Sequence, residues 1–265
     1  MIEVRDLTVG YGDRLVLERI NFQVRRGEVF AILGASGSGK STLLKHLIGL
    51  YEPIAGDVLI SGASLVQTEG EERLRILRKF GVLYQSGALF GSLTTVENVR
   101  LPLDEFTDLP EVAKDLIALS KLRLVGLESA ATKLPADLSG GMQKRAGIAR
   151  AIVMDPCILF LDEPSAGLDP IVAAELDELI LLLKETFRMT VIVVTHEMAS
   201  AFRIADRIAM LYQGSFSAVG TKEEIKTSRN PRIRQFLDRI PEDMAKAPAA
   251  SAYFEKYLAT KEAFQ

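Results

Sequence analysis

Cysteine is almost absent. Cys157 is the one thiol in 265 residues, so an intramolecular disulfide is excluded and the chain suits a reducing compartment. Its apolar neighbours fit a small core filler rather than a reactive group. Long hydrophobic runs are missing too: apolar stretches are of strand length, far short of the ~20 residues that cross a bilayer. The opening residues MIEVRDLTVGYGD are charged and strand-like, unlike a secretory signal or transit peptide, so the expectation is a protein that stays where it is made. An excess of positive charge is also lacking. A net charge of −3 offers no basic field to nucleic acid or anionic lipid, so any membrane contact has to run through a partner. What is present is ordinary for a globular chain, with 48% hydrophobic and 25% charged residues, enough for one large α/β core.

The most informative stretch is Gly34-Ala35-Ser36-Gly37-Ser38-Gly39-Lys40-Ser41-Thr42, directly after the apolar run Val29–Leu33. A G-x-x-x-x-G-K-S loop between a buried strand and a helix is a phosphate cradle. Glycines let the backbone wrap a phosphate, successive N–H groups and the helix N-terminus supply partial positive charge, and Lys40 adds a full one. Ser41 is then placed to ligate Mg²⁺, and the chain is expected to bind a nucleoside triphosphate. The bland reading is a glycine-rich turn that caps a helix.

Leu15 to Val24 alternates, with Ile20, Phe22 and Val24 opposite Arg19, Asn21 and Gln23, which predicts an antiparallel strand with one wet face beside Ile2–Val9. Val29–Leu33, Ile158–Leu161 and Val191–Val194 are continuous apolar runs, the pattern of parallel strands covered on both faces. They predict the centre of a nucleotide-binding core. Between the first two lies an insertion, about 86–155, whose patterns at Val96–Leu103, Glu111–Val125 and Met142–Met154 read as helices. The expected domains are a core in two parts, 1–85 and 156–228, a helical subdomain over 86–155, and a C-terminal extension over 229–265. A helix from Glu197, two strands about Gln213-Gly214 and a helix from Lys222 complete the core.

Cys-Ile-Leu-Phe-Leu-Asp162-Glu163 is a strand ending in two acids. In phosphate-loop proteins the first such acid reaches the Mg²⁺ shell, pairing Asp162 with Ser41. Glu163 can polarise an attacking water as general base. Ser139-Gly140-Gly141 opens a helix running through Arg150, offering a hydroxyl and bare N–H groups to an anion. Alone, Ser139 is equally a plain helix cap. Since one phosphate cradle is already complete, a second implies a second nucleotide surface.

With these motifs in order, the chain resembles the ATP-binding subunits of ABC transporters over about residues 1–228. That family's fold is a phosphate-loop NTPase α/β core, RecA-like with a central parallel sheet, an antiparallel β subdomain and an inserted helical subdomain. The resemblance implies ATP and Mg²⁺, with Tyr11 stacking on adenine, Gln85 linking Mg²⁺ to the helical subdomain, and His196 sensing the γ-phosphate. It also implies that Ser139, Gly140 and Gly141 close over ATP held by a second copy, with Asp169 in the loop between copies. Here the signature reads LSGGM, with Met142 where the family has Gln. Tyr11 has a bland reading as packing at a strand end, and His196 as a helix cap. His46 is given no role.

QSGALFGSLTTVENVRLPL and NPRIRQFLDRIP resemble ATPases of Mla-type, mammalian-cell-entry (MCE) associated systems, which move phospholipids or other hydrophobic molecules across the bacterial envelope. The implied partners are an MlaE-like permease dimer, an MCE substrate-binding protein and a small STAS-domain subunit, with no nucleic acid and no direct lipid contact. The implied location is the cytoplasmic face of the inner membrane. Leu89 and Phe90 suit a docking groove for a permease helix, or else fold back into the insertion's own core. Other transported substrates remain open, as does a soluble ATPase acting on DNA or ribosomes. Tyr253, Phe254, Tyr257, Leu258 and Phe264 give the tail an apolar stripe for docking on a neighbouring subunit, or else the tail is a frayed terminus.

Overall fold

Three runs of β-branched and apolar residues, VFAILG, ILFLD and TVIVVT, are buried at every position and set the centre of the molecule. The computed structural model describes residues 1–12 and 14–238, so the apolar tail stripe lies outside the described residues. Two compact units divide the chain at Thr227 and Ser228.

The first unit begins with β1 (Ile2–Tyr11), β2 (Arg14–Val24), β3 (Val29–Gly34), α1 (Lys40–Leu47), β4 (Ala55–Ile60), β5 (Ala63–Ser64), α2 (Gly70–Leu77) and β6 (Phe80–Leu83). It continues with α3 (Thr95–Phe106), α4 (Glu111–Leu124), α5 (Gly140–Ala151), β7 (Ile158–Asp162), α6 (Pro170–Phe187), β8 (Thr190–Thr195), α7 (Met198–Ile204), β9 (Arg207–Tyr212), β10 (Ser215–Thr221) and α8 (Lys222–Lys226). Of the second unit, α9 (Pro231–Leu237) is described; Asn230 caps it by accepting from Arg232 N–H at 3.0 Å.

The main sheet has the order β10-β9-β3-β8-β7-β6, parallel except for the last hairpin. Strand period two sends its side chains to two cores. Val29, Leu159, Leu161, Val191 and Val193 join the helices of the insertion and α6. Phe30, Ile32, Ile158, Phe160, Ile192 and Val194 join α1 and the second sheet, β2-β1-β4-β5, which is antiparallel. The alternation read in β2 holds from Ile20 to Val24 and breaks upstream. Arg19 is left-handed (φ 48°) beside a register shift, which restores Leu17 to the core and leaves Leu15 exposed.

β6 escapes sequence reading because it is four residues long and contains Gly81. The glycine has a packing reason: a Cβ there would lie 1.8 Å from the Ala151 carbonyl oxygen, so α5 sits directly on β6. Gly81→Ala is expected to destabilise the protein by about 3 kcal/mol, the upper end for overpacking. Thermal denaturation should show this as a melting point lower by about 6–12 °C.

Candidate active site

The loop after β3 is shaped by its glycines. Gly39 is left-handed (φ 101°), and a Cβ on it would press on Leu17 and Val16 at 2.9 Å. Lys40 is buried and curls back over the loop, donating to the carbonyls of Gly34 and Ala35 at 3.0 Å each. Its ammonium lies 3.5 Å from Glu163 Oε1. Burial lowers the Lys40 pKa, opposed by the charges of Glu163 and Asp162. Among the described residues Ser38 Oγ is buried without a partner, and α1 has no acidic side chain in its first turn. A hydroxyl of this kind, an acid-free helix start and a lysine held by two carbonyls and a carboxylate fit an incoming polyphosphate.

Ser41 Oγ donates to Asp162 Oδ1 at 3.0 Å. Asp162 is buried at the end of β7, and desolvation raises its pKa against the Ser41 bond. Among the described residues no cluster of three or more His, Cys, Asp or Glu side chains is arranged to hold a metal ion alone. One carboxylate and one hydroxyl is the protein share of a Mg²⁺ site completed by phosphate and water, so the residues present fit that ion.

Glu163 follows in the left-handed region (φ 48°), a conformation that costs a non-glycine residue about 1 kcal/mol or more. It is held from several sides. Its N–H donates to Val194 O at 2.8 Å, while Oε2 accepts from Thr195 Oγ at 3.1 Å and from His196 N–H at 3.2 Å. His196 Nδ1 lies 2.8 Å from the same oxygen, with its ring half exposed. Thus β7, β8 and the phosphate loop converge on one carboxylate.

A cavity of about 370 Å³ collects these groups. Tyr11, Ser36, Gly37, Gly39, Lys40, Ser41, Thr42, Gln85, Glu163 and His196 line it, with Gly34, Ala35 and Ser38 in the loop behind and Asp162 reached through Ser41. Tyr11 is half exposed, 3.3 Å from Thr42 Oγ1 through its hydroxyl and edge-on to Tyr51 at 5.6 Å. Ser139, Gly140, Gly141 and Asp169 do not line this cavity. Ser139 caps α5 through Met142 N–H at 3.3 Å, and Asp169 caps α6 through Ile171 and Val172 N–H. A Cβ on Gly141 would lie 2.6 Å from Val172, so the start of α5 rests on the start of α6. Met142 packs on the core.

Sequence reasoning missed Arg14 and Val16, which also line the cavity, and Lys144, a buried cation bonded to main-chain carbonyls nearby. It also missed Asn98, whose side chain ties Phe90, Leu93 and Thr94 to α3. His46 is buried, with Nδ1 2.8 Å from Thr42 O. The two readings of Leu89 and Phe90 divide between the residues: Leu89 packs into the core, whereas Phe90 is exposed at a separate groove of about 540 Å³ with Leu77, Leu101 and Phe106.

The family model for the ABC transporter matches residues 17–166, more than half of the chain. The chain belongs to the ABC transporter family. As an ABC ATPase it hydrolyses ATP with Mg²⁺. It is 41% identical over 237 residues to the intermembrane phospholipid transport system ATP-binding protein MlaF of Haemophilus influenzae, covering 89% of this chain and 90% of that one. The corresponding protein of Escherichia coli K12 is 36% identical over 240 residues, covering 91% of this chain and 89% of that one. The probable ribonucleotide transport ATP-binding protein mkl of Mycobacterium leprae is 42% identical over 237 residues, 89% of this chain and 68% of that protein. Among solved structures, the dimeric post-hydrolysis state of the ATP-binding cassette MJ0796 bound to ADP and Pi gives a TM-score of 0.77 at 32% identity, covering 84% of this chain and 99% of that one. This ABC ATPase therefore carries, in one chain, a cavity that gathers Lys40, Ser41, Glu163 and His196 and a Ser139-Gly140-Gly141 turn that does not line it.

Proposed function

We propose that this ABC ATPase is the energy-supplying subunit of a transporter that moves phospholipid, or a similar hydrophobic molecule, across the bacterial envelope. The observation that carries the mechanism is the separation of Ser139-Gly140-Gly141 from the cavity that holds Lys40 and Glu163. In this reading two copies meet face to face, and the signature turn of each closes the cradle of the other, with Asp169 in the loop between them. The lipid assignment is supported by the MlaF relatives, which share nearly their whole length with this chain.

The residues of the cavity then divide the chemistry among them. Lys40 leaves its carbonyls and Glu163 for phosphate oxygens, which frees one face of that carboxylate. Glu163 takes the proton of the attacking water, and His196 holds the acid through Oε2 while reading the γ-phosphate. Tyr11 offers an aromatic face to the base, and backbone N–H groups of Gly37 to Thr42 surround the phosphates. Ser41 and Asp162, with Gln85, would hold Mg²⁺, whose charge neutralises phosphate oxygens when bound.

The work appears at the apolar groove beside Phe90, flanked by Arg78 and Arg150. It suits a short helix from an MlaE-like permease dimer, with an MCE-domain protein and a STAS-domain subunit as further members. The MlaF relatives support peripheral attachment at the inner membrane's cytoplasmic face, and among the described residues no helix is long and apolar enough to cross a membrane. Phe90→Asp is expected to cut recovery of the permease with the tagged ATPase by about 10- to 100-fold, as the apolar contact of a large aromatic side chain, worth about 1.5–3 kcal/mol when fully buried, is lost. ATP affinity should not change.

Reconstitution of the complex in vesicles with a fluorescent phospholipid tests the whole reading. ATP-dependent lipid movement that stops with Glu163→Gln is the expected result. Hydrolysis without lipid movement would reject the lipid assignment in favour of another transported substrate. Ribosomes or DNA co-purifying in place of a membrane protein would reject transport itself.

A further inference from the structure

Helix α5 does more than present the signature turn. Lys144, Gly147 and Arg150 follow one another at three-residue intervals, so they step along one face of the helix. That face lies against the loop carrying Gln85 and the end of β7. Lys144 is buried, yet no carboxylate lies within ion-pair distance among its described contacts; its ammonium donates to the main-chain carbonyls of Gln85 and, at 2.9 Å, of Glu163. Arg150 donates to Gly87 O at 2.8 Å and Ala88 O at 2.7 Å. Between them, a Cβ on Gly147 would lie 3.3 Å from Gly87 O and 2.6 Å from Leu83, so the helix and the loop are in backbone contact.

Three of the four carbonyls belong to left-handed residues: Gly87 (φ 74°), Ala88 (φ 48°) and Glu163 (φ 48°). For Ala88 and Glu163 that conformation persists only where surrounding bonds over-determine it. Lys144 supplies such a bond at Glu163, opposite the one that Val194 O accepts from its N–H. A buried ammonium is costly unless its donors are satisfied, and here the partners are backbone groups that must keep their positions for the cost to be met. Burial lowers the Lys144 pKa, opposed by the charges of Asp162 and Glu163.

We propose that Lys144 is a positioning residue for hydrolysis, its ammonium joining the backbone of Gln85 to that of Glu163 so that α5 carries the glutamine loop and the general base as one body. The inference rests on the roles given above to Glu163 and Gln85. Any displacement of the signature turn is then felt at both residues of the same copy's ATP site, through a cation rather than through the bound nucleotide. Lysine is well matched to this position, because a long apolar stem reaches from the helix through a tight contact and three rotatable donors serve two carbonyls on different segments.

The test compares Lys144→Met, which keeps the length of the stem and removes its donors, with Lys144→Arg, which keeps the charge. A nitroxide attached through Ser86→Cys in a Cys157→Ala background reports the motion of the glutamine loop in the nucleotide-free chain; Ser86 is exposed. Lys144→Met should lower kcat about 10- to 100-fold, the scale of a misplaced catalytic group. KM for ATP should change far less than kcat, since Lys40, Ser41 and Asp162 keep their places and the displaced Gln85 is one contact among many. The nitroxide spectrum should sharpen, and Lys144→Arg should restore both kcat and the broad spectrum in part. Should the methionine variant fail to fold, Lys144→Gln, which keeps one donor group, carries the same expectations at smaller amplitude.

Wild-type kcat with an unchanged spectrum would overturn the proposal. So would kcat and KM deteriorating together with no change in loop motion, the mark of general destabilisation. If Glu163→Gln hydrolyses ATP normally, the role of Glu163 fails separately, and the nitroxide spectrum still decides whether Lys144 holds the loop.

Discussion

Glu163→Gln is expected to slow ATP hydrolysis by about 10²- to 10⁴-fold, the range for loss of a general base. ATP binding should survive. The amide has the shape of the carboxylate, so its oxygen still accepts from Thr195 and from the N–H and ring of His196. What disappears is the basic oxygen and the ion pair with Lys40, 3.5 Å away. Lys40 then has one competitor fewer when phosphate arrives, so affinity should hold or rise. Single-turnover hydrolysis and equilibrium binding of radiolabelled ATP measure the two effects separately. Turnover within about tenfold of wild type would remove Glu163 from the role of general base.

Lys40→Met carries the second large effect, on binding rather than on turnover. The lysine is buried and its bonds to Gly34 O and Ala35 O hold it where a phosphate oxygen would meet it. Charge-assisted hydrogen bonds are worth about 1.5–3 kcal/mol each, so losing them should weaken ATP by about 10²-fold. Thermal denaturation reads this through linkage. At an ATP concentration about 100 times the wild-type Kd, ligand stabilises the wild type by about 2.7 kcal/mol, and the variant should gain only about 0.4 kcal/mol. A variant that melts with the full ATP-induced shift would show that backbone N–H groups alone hold the triphosphate.

The phosphate loop was legible because it is local: nine consecutive residues bear the glycines, the lysine and the hydroxyl, and the adjoining apolar strand fixes which way they face. The three central strands were legible because burial on both faces leaves no polar alternation to confuse them. β6 was not, since four residues with a glycine carry no period, and its place is set by contact with α5 more than sixty residues on. Lys144 was invisible for a related reason. Its partners are carbonyls, which every residue has, so no side-chain pattern announces the contact. The left-handed turn at Glu163 was equally hidden, because glutamate does not favour it and only the surroundings impose it. Ser139 stands between these cases: its capping bond within the chain is visible in the structure, while the second-nucleotide surface proposed for it rests on the motif.

Everything turns on two chains sharing two nucleotides. The most direct measurement is the particle mass of Glu163→Gln in solution, by light scattering, with and without saturating Mg·ATP. A single-chain mass is expected without nucleotide and twice that mass with it, reverting when Ser139 is replaced by a bulky residue such as arginine. A particle that keeps the mass of one chain when fully loaded with Mg·ATP, alone and beside its permease, would contradict it.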